Sequence, residues 1–234
     1  MGVRTLGACT LGACALLLVL VPTHSVAEAL SAPASTPAPV PVQVQVQCLD
    51  GSAELKNTLD KMQSLSTEFR QLMTSADGHP LQDMSGVMHI SKPGRIHWAT
   101  EAPFEQLVIA DGESLWLYDP DLEQVTVKSL EVNLTNSPAA LLLGDSDSLA
   151  ETYKICRETV ENTTRISLTP LQIESVYTEI VLAFVAETPT AIIMNDSLGQ
   201  RTVVTLIDAV MNPQLDTALF VFDPPAGIDI FEDR

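Results

Sequence analysis

Two segments a dozen residues apart limit the fold of this chain more than anything else in it: Lys92-Pro93-Gly94-Arg95-Ile96-His97-Trp98 and Asp111-Gly112-Glu113-Ser114-Leu115-Trp116-Leu117-Tyr118-Asp119-Pro120. Each reads as a turn that feeds an aromatic strand. Pro93 and Gly94 suit a tight turn, and Asp111-Gly112 is a hairpin signal because glycine accepts positive φ. Between them Glu105 to Ala110 reads as a third apolar strand. Strands joined by such short turns pair antiparallel, since parallel neighbours need a long crossover. The pattern therefore predicts a curved antiparallel meander carrying large apolar groups.

The same period of two extends in both directions. Upstream, Leu65, Thr67, Phe69, Gln71 and Met73 share one face of a strand, with Ser66, Glu68 and Arg70 on the other. Asp77-Gly78 turns the chain into a strand with Met84, Gly86, Met88 and Ile90 on one side. Downstream, strands are expected at 124–128, 152–158, 164–169, 176–186, 191–195 and 201–210, with a last one through Leu219 to Phe222. Helical spacing appears in two places. Leu55, Leu59 and Met62 recur between Ser52, a candidate cap, and Ser64. Ser137 to Gly144 has proline in its first turn and glycine at its end. The fold class is mainly β with small α insertions, in one antiparallel domain.

The N-terminus reads as an export signal. Arg4 precedes the apolar run Leu11 to Val21 and the small-residue site Ser25-Val26-Ala27. Cleavage after Ala27 is expected, with Ala29 as the alternative. Residues 28–47 hold Pro33, Pro37, Pro39 and Pro41 among small and polar residues, which suits an extended tether. The organisation expected is thus 1–27 signal peptide, 28–47 Pro-rich tether and 48–234 folded domain. Cys9 and Cys14 fall within the signal, which leaves Cys48 and Cys156. In an oxidising compartment these two either form one disulfide or remain separate thiols.

The formal charge of −18, from 12 basic and 30 acidic residues, argues against nucleic acid and anionic lipid surfaces as partners. Catalytic patterns are missing from the sequence. It has neither a Gly-x-Ser-x-Gly elbow nor a glycine-rich phosphate loop, so no catalytic residue and no cofactor is assigned. His89 and His97 fall on neighbouring strands, but no cysteine or carboxylate stands at ligand spacing beside them, so no metal site is expected. What remains is apolar surface, including Met62, Met73, Met84 and Met88, whose flexible side chains suit changing partners as well as an ordinary core.

In this order, and after an export signal, the segments resemble the periplasmic outer-membrane lipoprotein carrier family (LolA). The resemblance rests on 92–98, 111–120, Ser137-Pro138 with Leu141-Leu142-Leu143, and Pro224-Pro225-Ala226-Gly227-Ile228-Asp229. It implies a single antiparallel sheet curled into an incomplete barrel whose mouth is covered by helices. It implies a non-enzymatic periplasmic chaperone, expected to act as a monomer. That chaperone takes acylated lipoproteins from an inner-membrane lipoprotein-releasing ABC transporter to an outer-membrane receptor lipoprotein. On this reading Leu59, Met62, Phe69, Met88, Ile96, Trp98, Leu141 and Leu142 line the acyl-chain cavity. The family's basic latch residue falls at Lys92, where arginine is usual, and its expected partners are carbonyls near Leu59, Leu142 and Leu143. Two other readings stay open: a lipid-sensing periplasmic regulator of envelope stress on the same fold, and a periplasmic hydrolase.

Overall fold

The computed structural model describes residues 48–130, 138–143, 146–172 and 174–233. The expected signal at 1–27 and tether at 28–47 lie outside the described residues, as do Ser137 and Gly144. In chain order the described elements begin with β1 (Leu49–Asp50), α1 (Ser52–Lys61), β2 (Ser64–Thr74), β3 (Pro80–Ser91) and β4 (Arg95–Thr100). They continue with β5 (Gln106–Asp111), β6 (Ser114–Asp119), β7 (Gln124–Ser129), α2 (Pro138–Leu143) and α3 (Ser146–Thr152). Then follow β8 (Tyr153–Val160), β9 (Thr163–Pro170), β10 (Tyr177–Val185), β11 (Thr188–Asp196) and β12 (Arg201–Met211). A 3-10 turn (Thr217–Phe220) and β13 (Asp229–Asp233) complete the set.

All the described strands join one sheet in the order β1-β8-β9-β10-β11-β12-β2-β3-β4-β5-β6-β7-β13. Its two edges are β1 and β13, so it is open rather than closed. Every pairing is antiparallel except that of β13 with β7 at one edge. The fold is mostly β, as the alternation predicts. β2 sits mid-sheet between β12 and β3, and a bulge in β12 between Ile207 and Val210 adds local twist. At Gly86 the strands approach too closely for any side chain. A Cβ there would lie 2.0 Å from the Ala99 carbonyl oxygen and 3.0 Å from the Phe69 ring.

Inward residues of the strands and of the three helices form one apolar cluster. Phe69, Met88, Ile90 and Ile96 face it from the meander; Ile166, Leu182, Phe184 and Met194 face it from the other arm of the sheet. Helix α1 contributes Leu55 and Leu59. It also packs on α3, and α2 packs on β3.

Four features depart from the sequence reading. Leu219 to Phe222 is not a strand: residues 217–220 form a 3-10 turn, with the Asp216 carboxylate accepting from Ala218 N. Pro213 before it and Pro224-Pro225 after it cannot donate to a ladder, and Phe220 is buried. The last strand comes later, as β13. Thr152, expected to begin a strand, instead ends α3, and β8 starts at Tyr153. Ser52 is the first residue of α1 rather than its cap; Gly51 takes the cap position, and Asp50 Oδ1 accepts from both the amide and the hydroxyl of Ser52.

Candidate functional site

The eight residues expected to line a cavity are all buried, and all belong to the same cluster beneath the helices. The alternation explains their convergence. In the β2–β3–β4 register Phe69 pairs with Gly86 and Met88 with Trp98, which places their side chains on the concave face. The rings of Phe69 and Trp98 stack at 4.1 Å between centroids, tilted by 38°, over the space left by Gly86. Trp98 Nε1 donates to Thr100 Oγ1 at 3.3 Å, so the indole polar group is satisfied without leaving the interior.

The cover is helical. Leu59 and Met62 come from α1 and the residue after it, and Leu141 and Leu142 from α2. Leu143 is partly buried against the cluster. Lys92 opens the β3–β4 turn, where Gly94 adopts φ +68°. From there its half-buried ammonium donates to the Leu59 carbonyl at 2.7 Å. The same carbonyl accepts from Met62 N at 3.2 Å, at the last turn of α1. The structure therefore brings Lys92 to Leu59, while Leu142 and Leu143 stand on the neighbouring helix.

At the other end of α1, Cys48 and Cys156 are joined in a disulfide, with Cα atoms 5.0 Å apart. It closes a separation of 108 residues, a constraint worth about 4–5 kcal/mol in the chain-entropy account. Met73 and Met84, singled out with Met62 and Met88 in the sequence, are half-buried towards the far end of the sheet.

The interior has a second half that the sequence reading did not assign. Ile166, Leu168, Ile180, Leu182, Phe184 and Met194 face it from β9, β10 and β11. The signal was the inward set Ile180, Leu182 and Phe184 of β10. It was obscured because Val181 and Ala183 between them are buried as well, so the strand reads as a continuous apolar run.

The outer face of the meander carries different chemistry. His89 and His97 stand 5.6 Å apart, ring centre to ring centre. Ser66 Oγ bonds His89 Nδ1 at 3.0 Å. His97 Nδ1 lies 2.8 Å from the Leu219 carbonyl; a carbonyl only accepts, so that nitrogen carries the proton. Burial, and then the charge of His97, lowers the pKa of His89 below its usual value. No cluster of three or more metal-ligating side chains occurs among the described residues. Asp111 has a structural part: its carboxylate accepts from Glu113 N, Ser114 N and Trp116 Nε1, fixing the β5–β6 hairpin.

Residues 60–223 match the family model described as outer membrane lipoprotein carrier protein LolA. An outer-membrane lipoprotein carrier protein from Chromohalobacter salexigens is 36% identical over 183 residues, covering 78% of this chain and 87% of that protein. One from Pseudomonas aeruginosa is 38% identical over 179 residues, covering 76% and 86%. Among solved structures, an uncharacterized conserved protein from Thermus thermophilus superposes with a TM-score of 0.52 at 6% identity. It covers 78% of this chain and 99% of that one, and shares the fold alone.

Proposed function

This chain belongs to the LolA family of outer membrane lipoprotein carrier proteins, and we propose that its apolar interior takes up lipoprotein acyl chains when the helical cover parts from the sheet. It is a periplasmic lipoprotein chaperone, and its family carries cargo rather than catalysing a reaction. The observation that carries the cavity assignment is the shared burial of Leu59, Met62, Phe69, Met88, Ile96, Trp98, Leu141 and Leu142 in one cluster, four of these eight being supplied by α1, α2 and the α1–β2 joint. Such a cluster is bounded on one side by short helices and not by a second sheet. Each acyl methylene removed from water there is worth about 0.8 kcal/mol, which offsets the cost of displacing the helices.

The expected route runs from an inner-membrane lipoprotein-releasing ABC transporter to an outer-membrane receptor lipoprotein. Residues 1–27 serve as the export signal, 28–47 as a tether and 48–234 as the carrier domain. Lys92 acts as the latch of the closed form through Leu59, with Leu142 and Leu143 beside it. A closed form that predominates weakens apparent affinity by the fraction of open molecules, which favours handing cargo on to a better binder. The test incubates the purified protein with spheroplasts synthesising lipoproteins. A soluble complex of carrier and lipoprotein is expected; its absence would refute the reading. Lys92→Leu is expected to hold cargo but pass it on poorly, and transfer at the unaltered rate would remove Lys92 from the latch.

A further inference from the structure

Helix α1 is held to the sheet at both ends, by different means. At its start, Leu49 and Asp50 pair with Arg157 and Cys156 of β8, and the Cys48–Cys156 disulfide makes the attachment covalent. Gly51 N donates to the Ile155 carbonyl at 3.4 Å, and Glu54 forms an ion pair with Arg157. The chain lies directly on β8 here, since a Cβ on Gly51 would come within 3.1 Å of Arg157 Cβ.

At its end, one residue gathers the joint between α1 and β2. Asn212 follows β12 in the left-handed conformation, φ +55°, which asparagine tolerates better than most residues. Its Oδ1 accepts from Gln63 N at 2.7 Å and from Ser64 N at 3.2 Å. Its Nδ2 donates to the Lys61 carbonyl at 3.0 Å, and its own amide donates to the Ser64 carbonyl at 2.8 Å. The side chain thus satisfies a terminal carbonyl of the helix, a group that a helix end otherwise leaves open, and also the amides of Gln63 and Ser64 beyond it. Leu59, whose carbonyl receives Lys92, lies half a turn before Lys61. From the other side Lys92 N donates to the Gln63 carbonyl at 2.9 Å. Asn212 and Lys92 therefore grip the same few peptide groups from opposite directions.

We propose that Asn212 is a positioning residue of the latch: it locks the α1–β2 joint, and because the disulfide fixes the other end of α1, this joint is where the helix yields as an acyl chain enters. The proposal rests on the carrier reading and adds to it where the cover opens. It also accounts for a left-handed asparagine where the chain could have turned on a glycine, since glycine would leave Gln63, Ser64 and Lys61 without these partners.

The test uses the disulfide-bonded protein and a triacylated lipopeptide as probe. Asn212→Gly keeps the backbone conformation at no steric cost and removes the side-chain bonds. It is expected to bind the probe about three- to tenfold more tightly and to release it more slowly, because a larger share of molecules is open. Combined with Lys92→Leu, the effects should fall short of additive, as they do for residues on shared partners. Asn212→Asp, which keeps the acceptor oxygens, should lie between. On probe binding to the unaltered protein, exchange of the Gln63 and Ser64 amides should quicken about tenfold while those of the β1 segment stay protected. Unchanged or weaker probe binding by Asn212→Gly would overturn the proposal, as would exchange that quickens at β1 instead. Failure of the unaltered protein to bind the probe at all would count against the carrier reading itself.

Discussion

The two faces of the meander β2–β7 are built by alternate residues of the same strands, yet they are covered in different ways. The inner face presents Phe69, Met88 and Trp98 to α1 and α2, and the contact is almost wholly apolar. The outer face presents His89, His97, Trp116 and Tyr118. Across it runs the segment after β12, bringing the Leu219 carbonyl to His97 and the Phe222 ring to within 5.8 Å of Trp116 and 5.6 Å of Tyr118. Directional bonds and paired rings fix one arrangement. Apolar contact with short helices tolerates exchange for another apolar partner of similar extent, because the hydrophobic term is non-directional. The carrier proposal builds on this difference: it assigns the exchangeable cover to the inner face and the permanent seam to the outer one.

Truncating the inner face gives the largest expected effect. Phe69→Ala should cost about 3–5 kcal/mol in urea unfolding, since the ring is fully buried against Trp98, and it should alter lipopeptide affinity as well. An affinity equal to that of the unaltered protein would remove Phe69 from the acyl site. Gly86→Ala follows at about 3 kcal/mol, the upper end of overpacking costs, because the added methyl meets backbone that the β3–β4 ladder cannot move aside. Its unfolding midpoint is the check. Phe222→Ala, on the outer seam and only half-buried, should cost about 1–2 kcal/mol and leave lipopeptide affinity unchanged. If it impairs loading as much as Phe69→Ala does, the two faces are not functionally distinct.

The smallest effect concerns pH. His89 titrates near 6.5 when free of the fold, and burial with the nearby His97 lowers that value in the folded protein. The unfolded chain then holds more protons below 6.5, so this contribution is intact above that pH and stability falls as pH drops through 6.5 towards the lower folded pKa. Unfolding midpoints measured at about pH 7.5 and about pH 5.5 should differ less in His89→Gln than in the unaltered protein. An equal difference in both would place the titration elsewhere.

The meander was readable because its turns are marked in the chain. Pro93-Gly94 and Asp111-Gly112 set where strands stop, and the alternation between them set which residues face inward. Lys92 and the cavity residues were named through the family resemblance, and the turns and alternation placed only the strands that carry some of them. The other arm was harder: β10 is buried on both faces, so period alone could not divide Ile180, Leu182 and Phe184 from Val181 and Ala183. The segment after β12 was misread for a related reason. Leu219-Phe220-Val221-Phe222 has the residues of a strand, but Asp216 and the flanking prolines commit it to a 3-10 turn and an extended cover.

Local pattern alone determined the strands of the meander, the class of fold and the lack of catalytic motifs, because pleat, turn and motif chemistry act over a few neighbouring residues. The folded structure decided what depends on distant partners. It joined Cys48 to Cys156, brought Asn212 across 149 positions to Gln63, laid β13 parallel to β7, and set Lys92 beneath the Leu59 carbonyl at 2.7 Å. Those contacts follow from how the sheet curls and where its edges end, which no short stretch of chain encodes.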